Sequence, residues 1–337
     1  MLKTVAELDE FLTRPSAADR AAMARLGNGT LLLAGVGGKM GPSLALRARR
    51  AAPDALRIIA VARFSEPGLR ESLEQQGIET VAADLLEHNA MERLPHAENV
   101  INLAARKFGT SGDSSATWAT NTVLPGLLAQ RYAESRIVSW STGNVYPLTP
   151  VASGGCAEST ATAPVGEYGQ SALAREKVLD YFARRNGTPV CLLRLNYAID
   201  LRYGVLVDIA RKVKFGEAVD LTMGYANVVW QGDANSVCLR AFDLCGTPAV
   251  PLNITGPETV AVREIARQFG QRFGRAPVLT GAEAPDALLS NASACWERFG
   301  PPAVGLPEMM TMIGDWIEAG GELWSKPTHF EVRDGKF

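Results

Sequence analysis

The chain has 337 residues, of which 47% are hydrophobic and 21% charged, with a formal net charge of −2. This is globular composition with material for a large core, and the near-neutral charge excludes a basic field for nucleic acid or an acidic tail. No apolar run approaches the length of a bilayer span, and the acidic start MLKTVAELDEF lacks the apolar core of a secretion signal, so a cytoplasmic protein without a membrane partner is expected. Cys156, Cys191, Cys238, Cys245 and Cys295 form no CxxC pair, and His88, His96 and His329 have no metal-ligand spacing. Reduced, mostly buried thiols and no metal are expected.

Residues 4–26 carry Ala, Leu and Met at helical spacing, broken at Pro15. They predict an N-terminal helical extension, residues 1–29, ending at the Asn28-Gly29 turn. TLLLA at 30–34 predicts a strand buried on both faces, followed by the glycine cluster GVGGKMG at 35–41 and a helix over 44–52. The alternation continues with a strand at 57–62, a helix at 67–76 and strands at 78–82 and 99–103. A helix at 115–134, a strand at 136–140, a helix at 168–185 and a strand at 190–195 complete it. Strands alternating with helices imply an α/β fold, a Rossmann doubly wound parallel sheet covered on both faces.

After residue 196 the pattern is less regular. Strands are expected at 227–230 and 250–254, and helices near 231–244, 260–273 and 306–319 are expected to pack a smaller lobe. The division is then a dinucleotide-binding domain at 30–195, with 226–256 returning to it, and a C-terminal substrate-binding lobe from 196–225 and 257–337. The small, polar loop 150–164 is a candidate cleft lining. The polar segment 321–337 either wraps the lobe or a partner subunit, or is loosely ordered.

Gly35, Gly38 and Gly41 stand at x-x spacing between the first strand and the first helix. Glycines there allow a tight turn and close approach of a pyrophosphate, with the helix N-terminus supplying donors. Lys39, inside the turn, is either a phosphate contact or a solvated lysine. The second strand ends in Ala62-Arg63, with no carboxylate for a ribose 2′-hydroxyl. A guanidinium at Arg63 suits a 2′-phosphate, so NADP is expected over NAD.

Several further segments fall in a familiar order. They are Ala83-Asp84-Leu85, Asn102-Leu103-Ala104-Ala105, Asn121 in ATNTVLPG, Ser141-Thr142-Gly143-Asn144-Val145-Tyr146, Glu158-Ser159, Tyr168-Gly169-Gln170-Ser171, Arg194-Leu195-Asn196 and Asn253-Ile254-Thr255-Gly256. With the glycine turn they resemble the extended short-chain dehydrogenases/reductases, the family of nucleotide-sugar epimerases and dehydratases, over about residues 30–275. The resemblance implies Thr142 and Tyr168 as the catalytic pair. It implies a cofactor lined by Gly35, Gly38, Lys39, Met40, Gly41, Arg63, Asp84, Leu85, Leu103, Ala104, Ala105, Asn121, Tyr168 and Asn196. Asn144, Asn196 and Arg202 are candidate substrate contacts, Arg202 for an anionic group. A homodimer and a carbohydrate-like small-molecule substrate are expected partners.

One departure falls at the centre of the chemistry. The family motif is Tyr-x-x-x-Lys, and position 172 is Ala. A phenol near pKa 10 is a poor base at neutral pH without a neighbouring cation. Lys177 lies on the opposite helix face from Tyr168, and Arg175 shares its face but about 10 Å along the axis. Three functions follow. The first is an NAD(P)-dependent epimerase, dehydratase or reductase acting on a sugar, sugar acid or nucleotide-sugar. The second is a non-catalytic NADP-binding sensor. The third is a non-redox lyase or isomerase with a structural dinucleotide.

Overall fold

The computed structural model describes residues 2–336 apart from 108, 110, 111, 325 and 327. Two short helices open the chain, α1 (Val5–Thr13) and α2 (Ala17–Ala24), each started by a capping box, Thr4 with Glu7 and Ser16 with Asp19. Then follow β1 (Thr30–Ala34), α3 (Gly41–Ala51), β2 (Arg57–Ala62), α4 (Leu69–Gln75), β3 (Glu79–Ala82) and β4 (Asn99–Asn102). Next come α5 (Ser114–Trp118), α6 (Leu124–Arg131), β5 (Arg136–Thr142), α7 (Gly166–Asn186) and β6 (Val190–Leu195). The last third supplies α8 (Val205–Phe215), α9 (Gln231–Arg240), β7 (Val250–Ile254), α10 (Val262–Phe273), α11 (Ser293–Phe299) and α12 (Leu306–Glu318).

The seven main strands form one parallel sheet in the order β7-β6-β5-β4-β1-β2-β3. This is the doubly wound arrangement expected from the alternation. Successive side chains of a strand point to opposite faces, and the core divides accordingly. Leu31, Leu33, Ile58 and Ala60 pack with Leu44, Ala48 and Val237 on one face. Leu32, Ala34, Ile59 and Val61 pack with Leu128, Leu179 and Phe182 on the other. The chain reverses its direction of winding between β1 and β4, and a crevice opens there at the carboxyl ends of the strands.

A second apolar cluster joins α8, α10 and α12 through Ile209, Ile265 and Trp316, and takes in Leu8 and Leu12 of α1 and Phe330 of the C-terminal tail. The N-terminal extension is therefore built into the core. Its buried Asp19 holds Arg47 of α3 at 2.9 and 2.7 Å, and Arg47 also donates to the Leu12 carbonyl at 3.2 Å.

Four expectations change. The helix over 115–134 is interrupted by a π turn at Ala119–Val123, after which α6 restarts with a proline in its first turn. The helix near 231–244 lies against α2 and α3 on the sheet, through Ala234, Val237 and Cys238, and not in the smaller lobe. The strand at 227–230 shrinks to Val229–Trp230, paired with Ala198–Ile199. The loop 150–164 lines neither large cavity, because Cys156 and Glu158 pin it to Leu289 and Asn253. Among the described residues no helix is long and apolar enough to cross a membrane.

Candidate functional site

The glycine turn meets two different demands. Gly35 has φ +89°, the left-handed region that a side chain rarely adopts, and a Cβ there would lie 2.7 Å from the Ala104 nitrogen. A Cβ on Gly41 would lie 2.1 Å from the Val36 carbonyl oxygen. These two glycines let the turn close on its neighbours. At Gly38 a Cβ would meet nothing nearer than the Gly35 carbonyl oxygen at 3.9 Å, so its bareness keeps the crevice open. No side chain caps α3, whose N-terminus faces the same space with Pro42 in its first turn.

Two cavities meet at Gly35, Gly38, Leu103 and Ala105. The outer one, about 290 Å³, is lined by Ala62, Arg63, Ser65, Asp84, Leu85 and Ala104 among others. Arg63 is largely exposed and stands 3.9 Å from Asp84, whose other oxygen accepts from the Leu86 nitrogen at 3.0 Å. The inner cavity, about 270 Å³, reaches Lys39, Met40 and Gly41 on one side and Thr142, Asn144, Tyr168 and Asn196 on the other. An elongated crevice, bare glycines at its waist and an uncapped helix start fit a dinucleotide.

β5 ends on Thr142, whose Oγ1 accepts from the Asn144 backbone nitrogen at 3.2 Å and from Asn144 Nδ2 at 3.0 Å. Tyr168, in the first turn of α7, is buried and hydrogen-bonded by the Thr142 side chain. Burial holds its phenol above the ordinary value, while the Arg175 charge and the Thr142 bond pull the other way. Arg175 lies two turns along the helix, is buried, and lines the inner cavity. Its guanidinium donates to the Trp140 carbonyl at 2.7 Å, to Asn121 Oδ1 at 2.9 Å and to the Asn121 carbonyl at 3.2 Å. The Arg175 charge thus acts on the Tyr168 phenol through a buried environment, while its hydrogen bonds go to Trp140 and Asn121.

A buried network fixes the rotation of α7 that makes this possible. Glu176, the next residue, pairs with Arg194 at 2.6 Å and accepts from Ser141 Oγ at 2.6 Å. Arg194 donates to the Tyr146 hydroxyl at 2.7 Å, which donates to Asn253 Oδ1 at 2.8 Å. Ala172, at the place of the family lysine, is fully buried with Val145, Tyr146 and Cys156, and lines neither large cavity.

Two sequence expectations move away from the crevice. Asn121 lines neither cavity; it is fully buried, bonded to Arg106, Ser171 and Arg175, and holds the guanidinium in place. Arg202 also lies off the cavity walls. Its guanidinium is taken by Asp200 at 2.8 Å and Asp9 at 3.0 Å and stacks over the Trp324 ring. An ion pair with carboxylates from α1 and from its own turn leaves it a structural tie between extension, lobe and tail.

Lys39 is half-buried and turned away from the glycine loop. Its Nζ donates to the Ala198 carbonyl at 2.8 Å and sits 4.0 Å from the centre of the Tyr203 ring. Burial lowers its pKa to about 7, with Asp200 opposing and Lys107 adding to the shift. Lys107 also lines the inner cavity and is lowered by burial to about 8, opposed by Asp208 and Glu331. The sequence pointed to neither Lys107 nor Tyr197. Tyr197, with φ +46°, follows Asn196 in the β6 end motif, and that adjacency was the available signal.

No curated protein sequence matches the chain. Solved structures resemble it in fold. A mutant of UDP-glucuronic acid 4-epimerase from Bacillus cereus, complexed with UDP-4-deoxy-4-fluoro-glucuronic acid and NAD, superposes with a TM-score of 0.73 at 16% identity, covering 86% of this chain and 99% of that one. UDP-glucose 4-epimerase from Thermotoga maritima with UDP-glucose gives 0.70 at 19% identity, covering 86% and 99%. dTDP-glucose 4,6-dehydratase from Bacillus anthracis in complex with NAD gives 0.72 at 15% identity, covering 86% and 96%. Residues 31–199, from the first buried strand past Tyr168 to the turn after β6, match the NAD dependent epimerase/dehydratase family, and to that family the chain belongs.

Proposed function

We propose that the protein is an NAD(P)-dependent oxidoreductase of the epimerase, dehydratase or reductase type, acting on a hydroxyl or carbonyl of a sugar, sugar acid or nucleotide-sugar. The observation that carries this is the convergence of Thr142, Tyr168 and Arg175 on one cavity that continues into the glycine-lined crevice. A bound nicotinamide dinucleotide supplies a hydride acceptor or donor. Gly35, Gly38, Gly41, Leu103, Ala104 and Ala105 would hold it, with Asp84 and Leu85 at its adenosine end. Arg63 at the outer cavity favours the 2′-phosphorylated form, although the similar structures with a named dinucleotide hold NAD.

Tyr168 exchanges a proton with the substrate oxygen, and Thr142 orients both by hydrogen bond. Because burial holds the phenol above its ordinary value, its resting state is the proton donor. Arg175 acts through Tyr168: a buried positive charge stabilises the phenolate that forms when the phenol gives up its proton. Asn144 and Asn196, both on the inner cavity, present amides to substrate hydroxyls.

The test is a turnover screen of sugars and sugar acids with NADP⁺ and NAD⁺, followed by nicotinamide absorbance. Tyr168→Phe is expected to lower turnover by about 10²-fold or more while leaving cofactor affinity within a few-fold. Unchanged turnover in that variant would remove Tyr168 from the chemistry.

A further inference from the structure

The C-terminal tail reaches the inner cavity at Thr328 and is tied to several distant segments of the chain. The Thr328 backbone nitrogen and hydroxyl donate to Asp208 of α8 at 2.8 and 2.6 Å, and its carbonyl accepts from Lys107, after β4, at 3.4 Å. Thr328 lines the inner cavity beside Lys39, Lys107 and Tyr203. Phe330 is buried in the core of the lobe. Arg333 pairs with the Asp286 carboxylate and donates to the Asp286 carbonyl at 2.9 Å. Gly335 packs backbone to backbone on Gly166, two residues before Tyr168, so closely that a Cβ on Gly166 would lie 2.5 Å from the Gly335 oxygen.

These anchors determine what space is left. Asn144 and Tyr197, both of which line the inner cavity, also line a second, smaller cavity together with Tyr146, Leu148, Val165, Met223 and Leu288. Val332, Arg333 and Gly335 complete the lining of this small cavity, whose volume is about 20 Å³. The inner cavity itself is about 270 Å³ and must also take the nicotinamide end of the cofactor. Pockets for drug-sized ligands run from about 300 to 1,000 Å³, so little more than one sugar ring fits beside Tyr168.

We infer that the tail, through Thr328, Val332, Arg333 and Gly335, is a fixed wall of the substrate site, and that it restricts the substrate to a monosaccharide-sized polyol or sugar acid carrying no nucleotide. This rests on the function proposed above and narrows its substrate class. The tail acts by occupying volume: a substituent on the sugar pointing away from the nicotinamide end meets Val332 and the Arg333–Asp286 pair. A hydrogen-bonded, partly buried segment does not yield this space without losing those contacts.

The experiment uses the full chain with two probes. UDP-glucuronic acid is titrated calorimetrically into the protein, with and without NADP⁺. No binding is expected up to about 1 mM, and a Kd below about 100 μM in either state overturns the inference whatever the turnover screen shows. In parallel, acrylamide quenching of bound NADPH fluorescence is compared between the full chain and its Arg333→Ala and Phe330→Ala variants. Phe330→Ala loosens the tail from the lobe core, and Arg333→Ala keeps the test valid where that variant folds poorly. Quenching is expected to rise about threefold or more in the variants as the wall opens, and equal quenching in all three also overturns the inference. Failure of NADPH to bind any of them strikes the proposed cofactor crevice instead, and the titration without cofactor still decides the wall.

Discussion

Arg175 stands seven positions beyond Tyr168 in α7, and its buried guanidinium supplies the charge that most opposes the effect of burial on the Tyr168 phenol. The family lysine would occupy Ala172. The buried guanidinium lies one helical turn beyond that position, held by the Trp140 carbonyl and by both acceptor groups of Asn121.

This arrangement has a pH signature. The Tyr168 phenol is raised, so it keeps its proton up to and beyond its ordinary range near pH 10. Reduction, which needs the protonated phenol, is expected to be flat from about pH 6 to 9, and oxidation, which needs phenolate, to rise with pH. Removing the positive charge raises the phenol further. Arg175→Met should therefore move the oxidative limb upward by about one pH unit and lower oxidative turnover at pH 8 about tenfold. Arg175→Lys should stay close to the parent. A log kcat/KM profile of oxidation checks it, and superposed limbs for Arg175→Met and the parent would falsify the role of Arg175.

Restoring the family lysine should not restore anything. The Ala172 side chain is enclosed by Val145, Tyr146 and Cys156, away from the crevice. Ala172→Lys has to push a long chain and a charge into that cluster, at about 1–3 kcal/mol or more of stability. A lower midpoint in chemical unfolding with no downward shift of the pH optimum is the expected pair of results. An optimum displaced toward neutrality at unchanged stability would show that the ammonium reaches Tyr168 after all.

The glycines separate folding from binding. Gly38→Val places its side chain in open cavity and should leave the fold intact while abolishing dinucleotide binding. Gly35→Val is strained at φ +89° and collides with the Ala104 backbone, so it should lower stability as well. Circular dichroism on melting, together with cofactor calorimetry, distinguishes the two. Normal binding by a folded Gly38→Val protein would put the pyrophosphate elsewhere.

Cofactor preference should depend on Arg63. The side chain is exposed at the rim of the outer cavity, with Asp84 at 3.9 Å as its nearest carboxylate, a distance at which the pair is weak. Arg63→Ala should weaken NADP⁺ about tenfold or more and leave NAD⁺ nearly unchanged, because only the 2′-phosphate gains from a guanidinium. Equal losses, or a parent protein that prefers NAD⁺, would mean that Arg63 is only a surface residue.

The strand–helix alternation and the glycine spacing are local properties, carried by runs such as TLLLA and GVGGKMG, and they determined the sheet and the position of its crevice. The π turn at Asn121 left no such trace, because it arises where the buried Asn121 side chain satisfies Arg106, Ser171 and Arg175 at once. Arg202 misled for the same reason: its position after the β6 end is visible in the sequence, but its partner Asp9 lies almost 200 residues away.

Legible in the sequence alone, therefore, were the parallel α/β frame and the place of the glycine turn between β1 and α3, since each depends on residues close along the chain; Thr142 and Tyr168, singled out by resemblance, do line one cavity. The tertiary structure alone reveals that the buried Arg175 charge acts on Tyr168, that Lys39 reaches across to Ala198, and that Thr328 of the tail lines the inner cavity while Gly335 packs against Gly166. Those outcomes depend on long side chains and distant segments meeting in a buried space, where desolvation and hydrogen-bond satisfaction select the partners, and no spacing along the chain encodes that selection.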